Sequence, residues 1–375
     1  MKWVVVAATL LGWPLGMAAQ DFRVADSIAE SGIRRGVYPG AVLIVGNARG
    51  ILHARGFGHL TWNRRSAVPT PDSTLWDLAS LTKVMGTTAA VLRLVERGRV
   101  DIDQTVRTYL PAFSGGGRDE VTVRMLLNHT SGLRAYLPLY RTAPTRDSAI
   151  ALLYREPLRR APGRIAEYSD LNFLLLGLLV ERVTGQPLAA YVHDSVLAPA
   201  GLQHTHYRVA DSLATRTAPT NMVRGRAICC RVNDQNAERM GGAAGHAGLF
   251  ATGTDVASYA RMWLGMGTID GKQVYPRALL KTFLTPDSLI PDRLLGWERP
   301  ETGKRDDSAF GLLLSEDAYG HTGWTGTQIW VDPPRDLFLV FLTNRSFAPR
   351  VTNSIRALRG IRGALADAVV QTVGR

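Results

Sequence analysis

Two hairpin patterns stand at opposite ends of this 375-residue chain, and they constrain its fold more than any other feature. Near the start, apolar runs at 41–45 and 51–57 flank Gly46-Asn47-Ala48-Arg49-Gly50; near the end, 327–331 and 337–343 flank Asp332-Pro333-Pro334-Arg335-Asp336. Short apolar runs around turn residues read as paired strands. Hairpins this far apart bury their faces only by joining one antiparallel sheet. Helical spacing over 22–35 and 355–373 supplies terminal helices to cover it, and 80–97, 147–154, 171–183 and 254–264 read as helices between. The expected fold is α/β (α+β): an antiparallel sheet flanked by terminal helices, with a large, mostly helical inserted domain. The α/β lobe is expected at about 22–70 plus 300–375 and the helical lobe at about 71–299, within one domain spanning 20–375, with a cleft between the lobes.

The first residues read as an export signal. Lys2 supplies a positive start, residues 3–11 an apolar core, and Gly16-Met17-Ala18-Ala19 a small-residue cleavage site, so 1–19 is expected to be a signal peptide and the mature protein secreted or periplasmic. The apolar core is too short to span a bilayer, and no stable membrane insertion is expected. The net charge of +12 comes mostly from Arg, since the lysines are Lys2, Lys83, Lys272, Lys281 and Lys304. Those arginines are scattered rather than clustered on one element, which excludes a nucleic-acid partner. Cys229 and Cys230 are the only cysteines, too few for a zinc ribbon, and are expected to be packing residues or at most a strained vicinal bridge. No H-E-x-x-H occurs, and neither a metal nor a cofactor is expected.

Three short motifs concentrate chemistry. Ser80-Leu81-Thr82-Lys83 opens a helical stretch, and residues three apart share a helix face, so the Lys83 amine can sit beside the Ser80 hydroxyl. Serine is a poor nucleophile without a base, and a buried lysine of depressed pKa can serve as one. Tyr168-Ser169-Asp170 precedes the helix at 171–183. There Asp170 suits an N-cap or first-turn acid, and the Tyr168 phenol suits proton shuttling to a leaving group. His321-Thr322-Gly323-Trp324 stands before the second hairpin, where a strand edge can offer a backbone N–H to an oxyanion and Gly323 permits close approach.

In their combination, order and spacing, together with Leu126-Leu127-Asn128-His129-Thr130-Ser131-Gly132-Leu133 and Gly245-His246-Ala247-Gly248-Leu249-Phe250, these motifs closely resemble the serine β-lactamase-related hydrolases. That family includes class C β-lactamases, low-molecular-mass penicillin-binding proteins, D-amino-acid peptidases and some esterases. The resemblance runs from Gly36-Val37-Tyr38-Pro39-Gly40-Ala41 to Thr343-Asn344-Arg345. It implies a β-lactamase/transpeptidase-like fold, with Ser80 as acylated nucleophile, Lys83 as partner base and Tyr168 as second acid/base. The backbone N–H groups of Ser80 and Trp324 would form the oxyanion hole. Asp170, His321, Thr322, Gly323 and His246 are the expected substrate-binding residues.

Two departures bear on the substrate. Class C β-lactamases carry Y-x-N and K-T-G, whereas this chain has Asp170 for the Asn and His321 for the Lys. An ionised Asp only accepts hydrogen bonds, and a neutral His removes a fixed cation that would help hold Lys83 deprotonated. Both count against efficient β-lactam turnover. Residues 232–250 and 321–326 look most like the D-alanyl-D-alanine carboxypeptidase branch. The expected activity is thus an acyl-enzyme peptidase acting on a small molecule or peptidoglycan peptide. The alternatives are a class C-like β-lactamase, a small-ester esterase and a non-catalytic peptidoglycan-binding protein. Asn128 and His129 are expected to brace a loop beneath the site, and Arg345 to be structural.

Overall fold

The computed structural model describes residues 20–301 and 308–374, so the expected signal segment at 1–19 lies outside the described residues. Helix α1 (Arg23–Arg34) leads into strands β1 (Gly40–Asn47) and β2 (Gly50–Gly58), the first expected hairpin. Helices α2 (Ala89–Glu96), α3 (Asp170–Thr184) and α4 (Gly253–Leu264) follow. The chain then returns as β3 (Tyr319–Thr322), β4 (Gln328–Asp332) and β5 (Leu337–Thr343), and ends in α5 (Ser354–Val373). The two hairpins do join: the sheet runs β3-β4-β5-β1-β2, antiparallel throughout, with Leu43 opposite Phe341 and Ile44 opposite Val340.

Strand side chains alternate between two faces. Ala41, Leu43, Val45, Leu339 and Phe341 pack with Ala25, Ala29, Leu358, Ile361 and Leu365 of α1 and α5. Val42, Ile44, Val340 and Leu342 point the other way, into a larger core that includes Val256, Ala260 and Trp263 of α4. Each Val, Leu, Ile or Phe among them contributes roughly 1.5–3 kcal/mol by leaving water. The terminal helices therefore cover one face as expected, while α4, from the middle of the sequence, covers the other. The helix expected at 80–97 is divided: Lys83–Thr88 winds as a π-helix before α2, a widening that recurs at functional sites.

Among the described residues no single helix is long and apolar enough to cross a membrane. The pair Asp170–Thr184 with Leu188–Leu197, bent by 82°, passes on length and composition only, and residues 171–180 of that pair are buried in the core.

Candidate active site

A two-residue strand, Trp76–Asp77, pairs with Phe250–Ala251 and brings the Ser80 segment against residues 246–250. The buried Asp77 carboxylate accepts from the Ala79 N–H at 2.9 Å and the Asn233 N–H at 2.7 Å, fixing the turn before Ser80. Ala79 takes a left-handed φ of 46°, a strained conformation for a residue with a Cβ, immediately ahead of the half-buried serine. Burial pushes the Asp77 carboxyl up to about 6, against the pull of its two backbone donors.

The S-x-x-K spacing does place Lys83 beside Ser80, with Nζ 3.0 Å from Oγ. Tyr168 approaches from the other side and donates its Oη–H to the same Oγ at 2.9 Å. Ser169 is the N-cap of α3: its side chain accepts from Leu171, and its N–H donates to His129 Nδ1 at 3.1 Å. The His129 ring lies 4.7 Å from that of Tyr168, so it braces the motif as expected. Asp170 is a first-turn residue of α3, where the helix N-terminus favours a carboxylate.

The expected electrostatics of Lys83 require correction. The fully buried ammonium donates to Asp170 Oδ1 at 2.7 Å and to the His246 carbonyl at 3.3 Å. Burial alone would depress its pKa, but the Asp170 carboxylate and Tyr168 outweigh burial and raise it above the ordinary lysine value. At rest Lys83 is therefore a cation. Burial, opposed by that same cation, lifts the Tyr168 phenol to about 12.

His246 is buried, and its ring turns to Asp234 with Nε2 2.8 Å from Oδ1. Burial works against the Asp234 anion, but His246, the Ala237 N–H and the charge of Lys83 hold it down at about 2. Asp170, Asp234 and His246 bring donor atoms within 4.8 Å of one another, the one group of metal-ligand type among the described residues. Lys83 and His246 already occupy those carboxylates.

His321 lies on edge strand β3, buried, with Nδ1 2.8 Å from the Thr322 carbonyl. Burial pulls its pKa down to about 4, so it is neutral as expected. A cation absent from the sequence reading stands nearby: Arg293, paired with Glu298 at 2.7 Å, lies with Cζ 5.9 Å from the Tyr168 ring centroid. Glu298 bridges antiparallel to Gly320, which seats this loop on the open edge of β3.

The turn after Thr322 completes the site. A Cβ on Gly323 would come within 2.1 Å of Thr327 Oγ1 and 2.6 Å of the Leu78 carbonyl, so only glycine fits. Thr325 and Thr327 donate their hydroxyls to the Asp77 and Leu78 carbonyls at 2.7 and 2.9 Å, clamping this turn to the Ser80 segment. Among the described residues, neither the Ser80 nor the Trp324 backbone N–H donates to another backbone carbonyl. Both residues line a cleft of about 1330 Å³, shared with Tyr168, Asp170, His246 and Thr322. Trp324 is 58% exposed, and Arg345, buried beneath it, donates to its carbonyl, a structural role. Cys229 and Cys230 are unbridged thiols, with Sγ atoms 3.2 Å apart.

A family model described as Beta-lactamase matches residues 25–361. The N-acetylmuramyl-L-alanine amidase of Bacillus subtilis (strain 168) is 31% identical over 366 residues, covering 88% of this chain and 82% of the relative. A protein of Escherichia coli (strain K12) named "Putative D-alanyl-D-alanine carboxypeptidase" is 32% identical over 312 residues, covering 75% and 71%. Among solved structures, a class C beta lactamase from Rhodobacter sphaeroides superposes with a TM-score of 0.73 at 20% identity, over 93% of this chain and 99% of that one. A penicillin-binding protein homolog from Caulobacter crescentus gives 0.71 at 22% identity, over 94% and 97%. At these identities the structural likeness speaks for the fold.

Proposed function

The chain belongs to the beta-lactamase family of serine hydrolases, and from that premise we propose that it is an exported peptidase of the D-alanyl-D-alanine carboxypeptidase type, working through an acyl-enzyme on Ser80. The observation that carries this reading is the convergence on Ser80 Oγ of Lys83 Nζ at 3.0 Å and Tyr168 Oη at 2.9 Å, beside two backbone N–H groups that donate to no backbone carbonyl among the described residues.

In this mechanism the Lys83 ammonium first gives a proton to water in the cleft by way of Asp170, and the free amine then takes the Ser80 proton as Oγ bonds to the acyl carbon. The carbonyl electron pair moves onto oxygen and is received by the Ser80 and Trp324 N–H groups. Collapse expels the amine, which takes a proton from Tyr168; Tyr168 is refilled from Lys83. Water repeats the sequence to release the acid. Asp170 holds Lys83 as ammonium at rest, so the active fraction grows with pH. Export rests on the segment at 1–19 and on the cell-wall chemistry in the relatives' names.

The amidase relative favours a second reading, cleavage of a muramyl–L-alanine amide by the same groups. One experiment separates these from a β-lactamase, an esterase and a binding protein. Purified protein is incubated in turn with a fluorescent penicillin, a D-alanyl-D-alanine peptide, a muramyl peptide and a p-nitrophenyl ester, and adduct mass and turnover are followed. Release of D-alanine through a Ser80 adduct supports the first reading. Turnover of the muramyl peptide alone moves the second ahead, and efficient penicillin hydrolysis would displace both.

A further inference from the structure

Arg362 of α5 is only 3% exposed, and among the described residues no carboxylate pairs with it. Its Nη2 donates to the Gly323 carbonyl at 3.0 Å and the Thr327 carbonyl at 2.8 Å, while its Nε has no partner. Burying a cation against neutral acceptors is costly and is not needed to close a turn. This turn already has its own bonds, Gly323 N–H to Thr327 O at 2.8 Å and Gly326 N–H to Gly323 O at 3.1 Å. What the cation adds is electronic. The Gly323 carbonyl and the Trp324 N–H belong to one planar peptide unit whose C–N bond is partly double. A positive donor on that oxygen draws electron density from the nitrogen, so the N–H at the other end becomes a stronger donor, as in any polarised hydrogen-bond chain.

We propose that Arg362 is a positioning residue that also polarises the Gly323–Trp324 peptide, sharpening the Trp324 N–H as an oxyanion donor. This rests on the reading of that N–H as half of the oxyanion hole. Arg362 lines the same cleft but is nearly buried and commits its guanidinium to the carbonyls of the turn, so substrate affinity owes little to it and transition-state stabilisation much.

The test uses Arg362→Gln, which keeps a neutral donor, and Arg362→Lys, which keeps the charge. Protein labelled with ¹⁵N-tryptophan reports the Trp324 amide directly, with Trp324→Phe identifying its signal. Acylation by a p-nitrophenyl ester gives kcat and KM, and infrared difference spectra give the acyl-enzyme carbonyl band. In Arg362→Gln the Trp324 ¹⁵N signal moves upfield, kcat falls about tenfold with KM within about twofold, and the carbonyl band rises in frequency. Arg362→Lys recovers part of each change. Should Arg362→Gln fail to fold, the partial shift in Arg362→Lys carries the same information. An unmoved Trp324 signal in a folded variant, or equal losses in Gln and Lys variants that track only their melting temperatures, overturns the proposal. Unaltered protein that forms no Ser80 adduct counts against the functional reading alone, because the ¹⁵N measurement needs no acylation.

Discussion

Lys83 Nζ and Asp170 Oδ1 stand 2.7 Å apart, an ion pair whose lysine is fully buried and whose carboxylate borders the cleft. This pair sets the resting charge of the site. Because the Lys83 pKa is raised in the fold, the stability this lysine gains beside the ionised Asp170 is complete just below the ordinary lysine value of 10.5 and is lost as pH rises through the higher folded value.

Replacing Asp170 by Asn removes the group that opposes burial, so the Lys83 pKa falls. The rising limb of acylation rate against pH should move down by at least about one unit, with a several-fold gain in β-lactam acylation near neutrality. Stopped-flow acylation from pH 5 to 10 measures both. A limb that stays in place would mean that Lys83 is not the titrating base.

Lys83→Arg tests the same base from the other side. A guanidinium cannot deprotonate, and acylation should fall by about three orders of magnitude, a loss that higher pH does not restore. A variant within tenfold of the unaltered protein would transfer the role to another group.

Much of this molecule is legible in its sequence. The sheet follows from short apolar runs around turn residues, and the Ser80–Lys83 contact follows from helical spacing. The Lys83–Asp170 pair joins residues 87 positions apart, and no local pattern encodes it. Arg293 and Glu298 sit in a loop without periodicity, and Arg362 looks like one more surface charge on an amphipathic helix. The packing of α4 across the sheet is set by the tertiary core, which periodicity reports only as an apolar face.

Gly323→Ala should force this turn to shift and displace the Trp324 N–H while the sheet and helices persist, because the new methyl meets Thr327 Oγ1 and the Leu78 carbonyl. We expect kcat to drop roughly 100-fold and substrate KM to change little. Equal kcat in the variant would remove this turn from the oxyanion hole.

Asp77 gives a stability test with a defined sign. Its folded pKa of about 6 exceeds the ordinary 3.8, so the folded state binds the extra proton and stability falls as pH rises between those values. Asp77→Asn flattens that slope. It also leaves the Asn233 N–H without its acceptor, at a cost of about 1–3 kcal/mol at low pH. Urea melts at pH 4, 5, 6 and 7 read both effects, and parallel slopes in the two proteins would contradict the assignment.

The proposed mechanism requires that Ser80 become covalently acylated. Intact-protein mass after incubation with a fluorophosphonate or fluorescent penicillin tests it most directly. The unaltered chain should gain one probe mass, located by peptide mapping at Ser80. Ser80→Ala should gain none while melting at nearly the same temperature, since only one hydroxyl is lost. Labelling of Ser80→Ala to the same extent as the unaltered chain would rule out Ser80 as the nucleophile.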